Sequence, residues 1–178
     1  MKRFYFYIVF FLVFGSTPYI GQSFFLQKNQ KEKIIPKKDT KYKVIKVKDG
    51  DTIVILVDNR ELGIRLNHID CPEKKQPFGT KAKQFVSDAC FGEKISLVHH
   101  NKYDRYGRLI AEVILPNGKN LNKELVRNGL AWHFIKYSTD MEYAQLEFSA
   151  RKKKINIWTE KKPIAPWNWR KSKNNPIK

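Results

Sequence analysis

From residue 42 onward the chain alternates apolar and polar positions in short runs. Tyr42–Val47 and the β-branched Thr52–Val57 predict two strands around the turn Lys48-Asp49-Gly50-Asp51. Asp58–Glu61 is polar and turn-like, after which Leu62, Ile64 and Leu66 alternate with Gly63, Arg65 and Asn67, the period of a half-buried strand. The period then changes. Ala82, Phe85, Val86, Ala89 and Cys90 recur at helical spacing and predict a helix over 79–91, stopped by Gly92. Strands over Lys94–His99 and Leu109–Leu115, the turn Pro116-Asn117-Gly118 and a short helix over Leu121–Asn128 follow. A last helix, about 140–153, places Tyr143, Leu146 and Ala150 on one face. Five short strands with helices between them predict a mainly β fold: a small, partly open five-stranded barrel of OB type with about three packed helices.

The ends of the chain depart from this pattern. Lys2 and Arg3 precede the apolar run Phe4–Gly15, which has the build of a signal-peptide core and is short for a spanning helix. Residues 1–21 therefore predict export, as a cleaved signal peptide or a retained membrane anchor: a chain that is secreted, periplasmic or anchored facing outside. Residues 22–41 form a basic linker, 42–158 the domain, and 159–178 a basic tail containing Trp167, Trp169 and three prolines.

Charge changes the picture twice. The 178 residues carry a formal net charge of +18, which suggests a polyanionic partner: nucleic acid, an anionic membrane or a cell-surface polymer. Yet residues 44–150 hold 16 Lys+Arg and 14 acids, so nearly all the excess lies in the flanks. Two cysteines exclude a disulfide-stapled scaffold, and the Cys and His spacings match no zinc framework.

Three segments of the domain carry side chains with chemical potential. Asp49-Gly-Asp51-Thr52 sits at a strand–strand turn. Arg65 lies on the polar face of its strand, and Asp70 and Glu73 follow at the strand's end, with Pro72 between them. Asp104-Arg105-Tyr106-Gly107-Arg108 precedes another strand. Each segment alone is compatible with a solvated turn or a surface ion-pair cluster. Together they supply hard oxygen donors for Ca²⁺ or Mg²⁺ (Asp51, Asp70), a carboxylate able to act on water (Glu73) and two guanidiniums able to hold phosphate (Arg65, Arg108). Phosphodiester cleavage needs this set.

These segments, in this order and spacing, resemble the signatures of the thermonuclease family, the staphylococcal-nuclease-like domains. The similarity runs on through Asn122-Lys-Glu-Leu-Val-Arg-Asn-Gly-Leu-Ala131 to Ile155-Asn-Ile-Trp158, about residues 42–158 in all. It implies Ca²⁺ held by Asp51, Asp70 and the backbone carbonyl of Cys71, where the family usually has Thr. It implies that Glu73 acts on the attacking water as base or positioner, and that Arg65 and Arg108 bind the scissile phosphate. Arg105, Tyr106 and Tyr137 stand where the family contacts substrate. The implied reaction is cleavage of the 5′ P–O bond of DNA or RNA, leaving 3′-phosphate ends, by a monomeric enzyme. The loop after Glu73, Lys74–Gly79, is shorter than in the best-known members. The competing reading is a catalytically weak or inactive OB-type nucleic-acid-binding protein at the cell surface. Relatives of that kind typically lack some of the acids and arginines present here. A third is a surface protein whose cationic tail contacts anionic lipid or wall polymer.

Overall fold

A computed structural model describes residues 33–174, with side chains to 172. The predicted signal or anchor segment, 1–21, lies outside the described residues, as does most of the linker. Among those described, no helix is long and apolar enough to cross a membrane.

Strands β1 (Tyr42–Val47), β2 (Thr52–Val57) and β3 (Arg60–Leu66) form an antiparallel meander. Asp58 and Asn59 both have positive φ, 46° and 60°, so the β2–β3 link is a two-residue turn of the mirror-image kind that matches strand twist. For that reason Arg60 and Glu61, expected in a longer turn, belong to β3, with Val57 opposite Arg60. After the two-residue β4 (Ile69–Asp70) and helix α1 (Gly79–Cys90) come β5 (Lys94–Tyr103) and β6 (Leu109–Ile114). β6 pairs in parallel with β3, and β5 pairs antiparallel with both β6 and β1. The barrel is thereby closed in the order β1-β2-β3-β6-β5, where the pattern predicted a partly open one. Tyr42 opposite Ile95 makes the closure.

The alternation in β3 and β6 does what period two dictates. Leu62, Ile64 and Leu66, and Leu109, Ala111 and Val113, all point into the core. Helix α1 adds Ala82, Val86 and Cys90 to it, and α2 (Leu121–Arg127) adds Leu121, Leu125 and Val126. Asn122 is buried among them and fully used. Its Oδ1 accepts from Val113 N–H, and its Nδ2 donates to the carbonyls of Asn67 and Ala111. Helix α3 (Met141–Lys152) is capped by Asp140 and buries Tyr143, Leu146 and Ala150, the face its sequence predicts. Cys71 and Cys90 are both buried free thiols.

Two elements have no counterpart in the sequence pattern. β4 pairs with β7 (Trp132–His133) in a short ribbon that places Asp70 opposite Trp132. A fourth helix, α4 (Pro166–Asn174), follows a single 3₁₀ turn over Asn156–Thr159. A second apolar cluster of Trp132, Ala150, Ile157, Trp158 and Ala165 roots this extension, with Trp167 packed against it. Arg151 lies over the Trp158 ring at 4.0 Å.

Candidate active site

All nine residues singled out from the sequence (Asp51, Arg65, Asp70, Cys71, Glu73, Arg105, Tyr106, Arg108 and Tyr137) line one open groove of about 800 Å³. Its floor is the end of the barrel where β1–β2, β3–β4 and β5–β6 turn.

The turn before β2 is fixed from below. Leu66 N–H donates to the Asp51 carbonyl at 2.9 Å, and Asp51 N–H donates to Asp49 Oδ1. A methyl group at Gly50 would stand 2.8 Å from Ala82 Cβ and 2.9 Å from Cys71 Cβ. The glycine is therefore required by close approach of the turn to α1 rather than by hairpin geometry. Asp51 sends Oδ1 to the Thr52 hydroxyl and Oδ2 to Cys71 N–H. Asp49 is pushed up to about 6 by burial and by the Asp51 charge beside it. Burial, and then Asp51, also raise the Cys71 thiol well above its ordinary value; it stays protonated and donates to the Gly50 carbonyl.

Arg65 crosses from β3 into this acidic corner. Its Nη2 lies 3.2 Å from Asp51 Oδ2 and 3.0 Å from Asp70 Oδ1, while Nη1 donates to the carbonyls of Leu66 and Ile69. Burial works against its charge, but Asp51 and Asp70 outweigh that and hold the guanidinium protonated more firmly than usual. The two carboxylates thus converge on a single cationic nitrogen.

Arg108 occupies the opposite wall. A Cβ at Gly63 would stand 3.2 Å from its Cγ, so the glycine inside β3 opens the path along which the arginine lies. Asp104 holds it through Oδ2 to Nε (2.7 Å) and Nη2 (2.6 Å), and Thr52 Oγ1 accepts from Nη1. Asp104 Oδ1 also accepts from the N–H groups of Tyr106 and Arg108. Partial burial raises this carboxyl, but the hydrogen bonds and charge of Arg108 prevail and hold it below the usual carboxylate range. Arg105 and Arg108 both lie over the exposed ring of Tyr106.

The short loop after Glu73 is a built support. Gln76 accepts from Glu73 N–H through its side chain, donates its own N–H to the Glu73 carbonyl, and sends Nε2 to Ile164 O. Gly79 is obligatory here, since a Cβ would stand 2.0 Å from the Glu73 carbonyl oxygen.

The sequence did not single out Arg170 or Phe134 as groove residues. Arg170, from α4, donates Nη2 to Asp70 Oδ2 and Nη1 to Glu73 Oε1, both at 2.7 Å. Asp70 and Glu73 raise its already high pKa further, overcoming the opposing effect of burial. Phe134 stacks on Trp167 (5.2 Å between centroids, 3° between planes) and meets Tyr137 edge-on. Only the cation–aromatic composition of Trp167-Asn-Trp-Arg170 marked the tail in the sequence, and composition does not say where a tail docks.

Among the described residues, no three His, Cys, Asp or Glu side chains converge as a metal cluster. The chemistry still suits a hard cation. Asp51 and Asp70 present oxygens to one point already filled by positive charge, with backbone carbonyls adjacent.

The amino-acid sequence is similar to those of known proteins. The profile of the staphylococcal nuclease homologue family matches residues 63–160. An uncharacterized endonuclease of Escherichia coli O157:H7 is 37% identical over 131 residues, covering 74% of this chain and 85% of its own length. A micrococcal nuclease of Shigella flexneri is 33% identical over 147 residues, 77% of this chain and 84% of the relative. A staphylococcal-like nuclease of Arabidopsis thaliana is 35% identical over 114 residues, 64% of this chain and 35% of the longer plant protein.

Proposed function

Since the chain belongs to the staphylococcal nuclease family, we propose that it is a nuclease: a Ca²⁺-dependent endonuclease acting on DNA, RNA or both, cutting the 5′ P–O bond and leaving 3′-phosphate ends. The observation that carries this reading is the meeting of Asp51, Asp70, Glu73, Arg65 and Arg108 in one groove, from three separate turns of the barrel.

Asp51, Asp70 and the Cys71 carbonyl would hold the cation. Its chemistry, when bound, is to neutralise charge on the phosphate as a Lewis acid. Glu73 keeps one oxygen on Arg170 and has the other for a water, which it orients or deprotonates. Arg108 is fixed by Asp104 through Nε and by Thr52 through Nη1, with Nη2 ion-paired to Asp104, and N–H donors on Nη1 and Nη2 remain for phosphate oxygens. That rigidity suits a donor aimed at charge developing in the transition state. Arg65 Nη2 now donates to Asp70 and pairs with Asp51, and it would turn to a phosphate once those oxygens serve a cation. Arg105, Tyr106 and Tyr137, exposed on the rim, supply charge and ring faces for the flanking nucleotides. The basic, then apolar pattern of residues 1–21 supports export, which would make an extracytoplasmic substrate the relevant one.

Single-stranded DNA and RNA incubated with the purified protein and Ca²⁺ should be cleaved to 3′-phosphate ends, and EDTA should stop the reaction. Binding without cleavage under Ca²⁺ would instead leave a nucleic-acid-binding module.

A further inference from the structure

Arg170 lies beyond residue 160, where the family match ends, yet its side chain reaches the centre of the groove. It is delivered by a rigid element. α4 is anchored by Trp167, stacked on Phe134 and edge-on to Trp132 at 5.7 Å, and the segment before it is tied down by the hydrogen bond from Gln76 to the Ile164 carbonyl. The guanidinium is bidentate across two different carboxylates. One is Asp70, 2% exposed, and the other is Glu73. Asp70 is also one of the two carboxylates converging on Arg65, so both of its oxygens are already engaged by positive charge.

A fixed monovalent cation in contact with a metal-ligand carboxylate has a necessary consequence. It occupies one oxygen of that carboxylate, and it repels the dication at short range. We infer that Arg170 is a built-in competitor of the metal: a tethered cation from the C-terminal helix that sets how much Ca²⁺ the Asp51–Asp70 site requires. The inference rests on the metal-dependent reading of that site. Arg65 and Arg170 together neutralise the acids of the groove, and a dication at Asp70 competes with the Arg170 contact as well as the Arg65 one. Linkage makes the coupling reciprocal, so the same contact that weakens Ca²⁺ binding stabilises the protein most when Ca²⁺ is absent.

Calorimetric titration of the full chain with Ca²⁺ alone, without substrate, tests this. Arg170→Ala should bind Ca²⁺ on the order of 10-fold more tightly than the parent, the size of an ordinary coupling between sites. Arg170→Lys, which keeps the charge and loses the planar fork, should fall between them. Thermal unfolding supplies a reading that a merely structural contact would not move. Arg170→Ala should lower Tm in EDTA, and the deficit should shrink or reverse at saturating Ca²⁺. Equal or weaker Ca²⁺ binding by Arg170→Ala, or a Tm loss of the same size with and without Ca²⁺, overturns the inference. If Asp51→Asn abolishes binding in that same series, the metal site itself stands. Absence of Ca²⁺ binding in both the parent and Arg170→Ala removes the site and the inference together.

Discussion

Glu73 and Arg108 are held in ways that separate the roles proposed for them. Glu73 is positioned through its backbone by Gln76 and through one carboxylate oxygen by Arg170, and among the described residues it pairs with neither Arg65 nor Arg108. Glu73→Gln should therefore lower kcat by about 100-fold or more, the range for loss of a group acting on a proton in the transition state, while KM moves little. Arg108→Ala should also act mainly on kcat, because a rigid guanidinium is worth most where charge develops. Steady-state kinetics of the two variants check both. A change confined to KM would reassign either residue to simple substrate binding. The glycines at 50, 63 and 79 are the companion lesson. None is required by a positive φ; each gives way to a neighbouring atom, Cys71 and Ala82, Arg108, or the Glu73 carbonyl.

The β4–β7 ribbon shows how an element can be held by a polar network. His68 and His133 both meet the buried Ser138 hydroxyl at 2.8 Å, and His68 Nε2 faces Glu112 at 3.1 Å. Asn67 Nδ2 completes the cluster, 3.0 Å from the same His68 Nε2. His133 Nδ1 is buried without a hydrogen-bond partner among the described residues. Burial pushes His133 below its ordinary value of 6.5; the His68 charge adds to this, and Glu147, Asp140 and the Ser138 hydrogen bond oppose it. The unfolded chain accordingly binds more protons than the folded one as pH falls through 6.5, and stability drops in that direction. Urea midpoints should fall from pH 7.5 to pH 5.5, and the part due to His133 should be missing in His133→Asn. An unchanged slope in that variant would exclude His133 as the source.

For the whole molecule, the tail is part of the fold rather than an appended cationic string. Removing residues 166–178 takes Trp167 off Phe134 and Trp132 but leaves the barrel core, whose residues all precede 147. The truncated chain should stay folded and lose roughly 1–3 kcal/mol, the worth of one large apolar side chain. With Lys and Arg residues of α4 gone, DNA binding should weaken and its salt dependence should flatten. Thermal melts and affinities across a salt series would measure the two effects separately. An unchanged salt slope would mean that the basic residues of α4 do not meet phosphates.

The barrel strands and the first three helices were legible in the sequence because their faces repeat at period two or near 3.6, which local geometry alone imposes. The site segments were legible because three short motifs keep their acids and arginines at characteristic spacing. Other features carry no local signature. The two-residue turn at Asp58-Asn59, the ribbon that seats Asp70 and the closure of the barrel depend on pairing between distant strands. Arg170 is the sharpest case: it meets its two carboxylates across roughly a hundred residues, which no window of sequence spans. The amino-acid sequence by itself determined the family, the barrel and the set of side chains available for catalysis, since these follow from periodicity and residue type. Tertiary structure decided which charges neutralise one another, because an ion pair depends on distance and burial in the packed chain. That is how a basic tail became a guanidinium lodged between Asp70 and Glu73.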